Sequence, residues 1–97
     1  MIYDLDCRYS TRKSFYGKAK VRVIEDSEER TIKELISYTT HVATYEYDKV
    51  NNIKTYKYLG HYSMTTTTHQ KEFFKQEGLN NDEIKKLFKD YELVIGE

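Results

Sequence analysis

The side chains with the clearest capacity for chemistry are Cys7, His41, His61 and His69. A structural metal site needs closely spaced ligand pairs, such as CxxC, HxxxH or HExxH, because one local turn must present two ligands to one ion. None of these spacings occurs, so no metal ligand and no cofactor is assigned. Cys7 beside a histidine would make a thiolate–imidazole nucleophile if folding brought the two together. However, Cys7 stands in the polar, aperiodic stretch Asp4–Lys13, a poor scaffold for holding a nucleophile in register with its base. The sequence therefore assigns no catalytic residue and predicts a protein that binds rather than turns over.

The residues that could bind are more numerous. Ten tyrosines occur in 97 residues. Tyr45, Tyr47, Tyr56, Tyr58 and Tyr62 fall in two neighbouring β-like segments, with Lys18, Lys20, Arg22 and Lys54 at their sides. Aromatic rings on a sheet face with cations beside them can stack bases and hold phosphates. Tyrosine is also favoured at protein interfaces, where it buries a large area at low entropic cost. A third reading is purely structural, since tyrosine is a good strand former. Ser63-Met64-Thr65-Thr66-Thr67-Thr68-His69 offers several hydroxyls at a helix start. They could meet an anion there, or simply end a strand and cap the helix.

These residues must be positioned by an α+β fold, an antiparallel meander of about four strands followed by two short helices packed on one face. Ala19, Val21 and Val23 alternate with Lys18, Lys20 and Arg22 over Tyr16–Glu25, which predicts a strand with one core face and one solvent face. Thr31–Tyr38 fits either a helix or a strand, and the β-formers that follow it favour strand. His41–Asp48 and Ile53–Tyr62 are predicted strands joined by Lys49-Val50-Asn51-Asn52, whose asparagines tolerate left-handed conformations. Ile2–Leu5 is a candidate edge strand in an otherwise irregular arm, residues 1–13. The sheet is expected over 14–62 and helices over 63–97.

The first helix is expected to start near Thr67, with Gln70 completing a capping box, and to end at Gly78. The second is expected after an Asn81 cap, with Ile84, Leu87, Phe88 and Tyr91 on one face. The tyrosine surface depends on which face the helices cover. If they cover the tyrosines, binding must move to Lys18, Lys20 and Arg22.

Sixteen Lys/Arg balance sixteen Asp/Glu, giving no net charge. That argues against a generic nucleic-acid coat. The balance is uneven, because residues 1–24 carry six Lys/Arg and two Asp. Length predicts one domain, 1–97, with one modest core. The lone cysteine, the lack of an apolar span and the lack of a signal-peptide pattern predict a cytoplasmic protein.

Three segments, Ser14-Phe15-Tyr16-Gly17-Lys18-Ala19, Ser37-Tyr38-Thr39-Thr40-His41-Val42-Ala43 and Tyr62–Phe73, together resemble a family of small bacteriophage and prophage accessory proteins. The pattern departs at Thr68, where an arginine is common in such relatives. The resemblance carries no catalytic residue. It implies a mobile-element setting in which small proteins bind host machinery stoichiometrically. A host defence protein, such as a CRISPR effector nuclease held by an anti-CRISPR inhibitor, is the expected partner, with nucleic acid as the alternative.

Overall fold

The computed structural model describes residues 1–96. Six strands form one antiparallel sheet in sequence order. They are β1 (Ile2–Asp4), β2 (Ala19–Asp26), β3 (Arg30–Ser37), β4 (Thr40–Asp48), β5 (Ile53–Tyr58) and β6 (Glu92–Ile95). Two helices, α1 (Met64–Gln76) and α2 (Asn81–Asp90), interrupt the meander between β5 and β6.

The sheet therefore has six strands rather than the expected four. Ile2–Asp4 pairs with β2 as one edge. Residues expected to extend the helical region instead form β6 on the other edge, against β5. Glu-Leu-Val-Ile is too short to display a period, so only the free edge of β5 reveals it as a strand. Thr31–Tyr38 is strand, as its composition favours, with β3 spanning Arg30–Ser37.

Alternation along the strands separates two faces. Ala19, Val21, Leu35, Ala43, Tyr45, Tyr56, Tyr58 and Leu93 are buried on one of them. Val42 is the unpaired residue of a β4 bulge, since Leu35 pairs with Ala43 and Ile36 with His41. An extra residue re-aims its side chain, and Val42 is fully buried. The helices supply Phe73, Phe74, Ile84 and Leu87 to the same core. Phe74 meets Tyr56 edge-on at 6.3 Å, and Phe88 stacks on Tyr58 at 4.2 Å.

Both helices are capped earlier than predicted. Ser63 caps α1, its Oγ accepting from Thr66 N. Asn80 caps α2 through a full capping box, with Glu83 N donating to Asn80 Oδ1 and Asn80 N donating to Glu83 Oε1, each at 2.9 Å. Gly78, at φ 104°, follows α1 in the left-handed region where a β-carbon is strained.

Asn80→Ala is expected to remove both bonds of the capping box and cost about 1 kcal/mol. Thermal unfolding followed by circular dichroism should show a drop of roughly 4–8 °C. An unchanged midpoint would mean that packing alone fixes the start of α2.

Candidate functional site

The helices cover the tyrosine face, which corrects the surface expected from sequence. Tyr45, Tyr56 and Tyr58 are core residues, each 6 % exposed or less. They fail as a solvent-facing platform because α1 and α2 bring their own aromatics onto the same face. Tyr45 and Tyr56 lie 5.2 Å apart, and Tyr56 Oη donates to Glu77 O at 2.8 Å. Burial pushes the Tyr45 phenol up to about 12 and raises that of Tyr56 too.

Tyr47 is half-buried at the sheet margin, with Lys54 Nζ 5.3 Å from its ring centre. Tyr62 is not on the sheet, because β5 ends at Tyr58. It lies half-exposed in the connection to α1.

The basic strip is also altered. Lys20 and Arg22 do face away from the helices, but Lys20 Nζ meets Asp4 Oδ1 at 2.6 Å and Arg22 Nε meets Glu34 Oε1 at 3.0 Å. Across the open face, Arg22, Glu34, Thr44, Lys57 and Glu92 stand in one cross-strand row. Charge of alternating sign on such a row is locally balanced. Lys18 precedes β2 in a turn and is exposed.

Chemistry does not assemble around Cys7. Burial and the nearby Glu72 carboxylate push its thiol up, which disfavours the nucleophilic thiolate. None of the hydrogen bonds among the described residues joins Cys7 to a histidine. His41 Nε2 lies 2.8 Å from Thr44 Oγ1, and His61 Nδ1 lies 3.3 Å from Thr67 Oγ1. The described residues gather no group of three or more His, Cys, Asp or Glu able to hold a metal ion.

The feature that sequence reasoning missed lies at one end of the sheet. The starts of β2, β4 and β6 meet the ends of β3 and β5 there, as the pairs Ala19–Ser37, Ser37–Thr40, Ala43–Tyr58 and Lys57–Glu92 require. Four tyrosines are exposed at this end: Tyr16 (76 %), Tyr38 (53 %), Tyr62 (50 %) and Tyr91 (57 %), with Met64 (77 %) beside Tyr62 in the chain. Three of them hold positive φ: Tyr16 at 51°, Tyr38 at 58° and Tyr91 at 68°. A left-handed conformation costs a residue with a β-carbon roughly 1–2 kcal/mol, and a bulky side chain is an uncommon choice there. Glycine or asparagine at those turns would have signalled only a tight turn, and tyrosine carries no sequence signal of the strain.

Beneath this end lies His69, 1 % exposed. Its Nδ1 is 2.9 Å from Ser37 Oγ, which is itself 2.9 Å from Thr66 Oγ1. Phe15 meets the imidazole edge-on at 4.6 Å, and Tyr38 lies 6.0 Å from it. Gln70 Nε2 donates to Val42 O and Gly60 O. The three segments Ser14–Ala19, Ser37–Ala43 and Tyr62–Phe73 thus converge on one buried polar cluster. The hydroxyls of Thr66, Thr67 and Thr68 are engaged within the fold. Thr67 Oγ1 donates to Ser63 O and Thr68 Oγ1 to Met64 O.

The fold and this end together describe a helix-covered antiparallel meander that presents strained aromatics at one end. The chain belongs to a family of unknown function, DUF8033, whose model matches residues 3–90. No curated protein and no solved structure matches it. No helix among the described residues is long and apolar enough to cross a membrane.

Two outcomes test the geometry. Tyr56→Ala should destabilise the fold by about 3–5 kcal/mol, as truncation of a large core aromatic does, read as a lower urea midpoint. At Tyr16, the usual order of substitutions should invert. Gly relieves the left-handed strain and Ala keeps it, so Tyr16→Gly should melt at a higher temperature than Tyr16→Ala. The opposite order would show that no strain is stored there.

Burial, helped by the charge of Arg12, lowers the His69 pKa from its ordinary 6.5. The unfolded chain therefore takes up a proton that the folded chain refuses. Stability attributable to His69 is present above about pH 6.5 and is lost as pH falls below it. Urea midpoints between pH 7 and 5 should fall more steeply for the wild type than for His69→Gln. Equal slopes would place the pH dependence elsewhere.

Proposed function

We propose that this protein works by stoichiometric binding to another protein and without turnover, using the tyrosine-bearing end of the sheet as its contact surface. One observation carries the reading: exposed Tyr16, Tyr38 and Tyr91 are held at positive φ, where glycine, with no β-carbon, would be free of strain. Strain retained at exposed positions is a pointer to function, most directly at Tyr16, since Tyr38 and Tyr91 also lie 6.0 Å from His69 and 5.4 Å from Tyr58. Tyrosine and methionine are residues that interface centres favour. Tyr16, Tyr38, Tyr62, Tyr91 and Met64 supply both types at one end of the molecule.

The three sequence segments that resemble phage accessory proteins converge at this same end. That supports a host defence protein as the target, with a CRISPR effector nuclease the first to try and anti-CRISPR inhibition as the mode of action. The nucleic-acid alternative loses its sheet platform, because Tyr45, Tyr56 and Tyr58 are in the core.

Immobilised protein exposed to a host lysate and to purified effector–guide complexes should retain a defence protein in about 1:1 ratio. Tyr16→Ser/Tyr38→Ser/Tyr62→Ser should lose at least tenfold of that retention while keeping a wild-type far-UV spectrum. Retention of the same partner by the triple variant would remove this end as the contact surface. Failure to retain any defence component would remove the inhibitor reading.

A further inference from the structure

A second surface, separate from the tyrosine end, is carried by the irregular N-terminal arm where it crosses α1. The arm is fixed there by Glu72, which is 2 % exposed. Its Oε1 accepts from Tyr9 N and Ser10 N, both at 2.9 Å, and its Oε2 accepts from Gln76 Nε2 at 2.7 Å. Gln76 Nε2 also donates to Asp6 O at 2.9 Å. A buried carboxylate must have its acceptor sites filled, so these bonds define the path of residues 6–10 across the helix.

That crossing leaves a concavity of about 80 Å³ lined by Tyr9, Ser10, Thr68, Lys71, Glu72 and Lys75. Tyr9 and Lys75 also line a wider, shallow concavity of about 440 Å³, which continues to Leu79, Asn80 and Asn81. The two adjoin, since both are lined by Tyr9 and Lys75. Lys71 and Lys75 are one helical turn apart, about 6 Å along the axis. Arg12 and Lys13 follow from the arm. Arg12 is tied to the groove through its backbone, Arg12 N donating at 3.1 Å to the Oγ of Ser10, which lines the smaller concavity.

Among the described residues, none of Arg12, Lys13, Lys71 and Lys75 takes part in an ion pair, unlike Lys20, Arg22, Lys33 and Lys49. The nearby carboxylates are already engaged. Glu72 is bonded to N–H groups, and Asp6 meets Arg8 Nε at 3.1 Å. Two of the basic residues of the first 24, Arg12 and Lys13, therefore join Lys71 and Lys75 on this side of the molecule, and the one carboxylate in the lining of the smaller concavity is that of Glu72. Tyr9, 59 % exposed, supplies an aromatic face within the same groove.

We propose that the groove between the arm and α1 binds the phosphodiester backbone of a single-stranded nucleic acid, with Lys71, Lys75 and Arg12 on phosphates and the Tyr9 ring stacked on a base. Unpaired cations at regular spacing hold a polyanion, and an exposed ring beside them favours a nucleic acid over an acidic protein segment. The groove uses neither the buried tyrosines nor the tyrosine end, so it stands independently of the protein-binding reading.

Fluorescence anisotropy of a labelled oligo(dT), titrated with the full chain over a salt series, tests the proposal. The wild type should bind at low salt with a linear dependence of log affinity on log salt. Lys71→Gln/Lys75→Gln should weaken binding at least tenfold and lower the salt slope by about 1.4, at roughly 0.7 for each phosphate left unneutralised. Tyr9→Ala should weaken it about tenfold. Lys85→Gln/Lys86→Gln, two exposed lysines on α2, should bind as the wild type does.

Polyglutamate of matched charge should compete poorly. Three outcomes would overturn the proposal: no binding at low salt, equal weakening from the α2 pair, or displacement by polyglutamate as effective as by unlabelled oligonucleotide. Wild-type melting curves for all variants would assign any weakening to the groove and not to folding.

Discussion

Phe73 and Phe74 of α1, with Phe88 of α2, lie against a sheet face that already carries Tyr45, Tyr56 and Tyr58. The rest of the molecule depends on this aromatic layer. Each buried phenol adds apolar area but also a hydroxyl that needs water or a partner. Tyr56 finds its partner in Glu77 O, a carbonyl at the C-terminal end of α1 that the helix itself leaves unsatisfied. One bond thus serves the sheet, which buries its ring, and the helix, which gains an acceptor's mate. The position of α1 across the sheet is tied to the place where that hydroxyl can reach.

With one face committed to the helices, function has the rims, the open face and the outer sides of the helices to use. The open face is populated by alternating charges that pair within the sheet, such as Arg22 with Glu34. Exposed pairs of this kind add little stability, but they leave no net field to attract a charged partner. The opposite condition holds where the arm crosses α1, since among the described residues Lys71, Lys75 and Arg12 join no ion pair, unlike Arg22 with Glu34. The aromatic end differs again, holding rings outward on left-handed backbone that only glycine would adopt without strain. Three surfaces of distinct chemistry result from one layer arrangement.

The buried cluster of Ser37, Thr66, His69 and Gln70 links two of these regions. It lies under the tyrosine end, and the Arg12 charge that bears on His69 comes from the arm. A polar cluster in a low-dielectric setting is stable only while its members stay paired. Gln70 Oε1 has no hydrogen-bond partner in this cluster. Burial lowers the His69 pKa, so the folded state favours its neutral form.

Much of the fold was legible in the chain. Alternation in Ala19–Val23 and in Ala43–Tyr47, the heptad-like face of Ile84, Leu87 and Phe88, and the turn at Asn51–Asn52 were readable because each repeats a local period or a local turn preference. β6 was not, since four residues show no period until an unpaired edge accepts them. The caps shifted by one to four residues because several hydroxyl and amide side chains near each start could serve, and packing selected Ser63 and Asn80. The larger decision was which side of the sheet became interior. A strand of alternating tyrosines and polar residues is amphipathic in either sense, and no local rule says whether its aromatic side meets solvent or helix. The sequence by itself determined an antiparallel sheet, two amphipathic helices and an N-terminal excess of positive charge. Only tertiary packing decided that Tyr45, Tyr56 and Tyr58 would be core. It also gathered Tyr16, Tyr38, Tyr62 and Tyr91 at one end and joined the arm to α1 through Glu72. These outcomes rest on contacts between residues far apart in the chain, and hydrophobic burial has no direction until the covering surfaces meet.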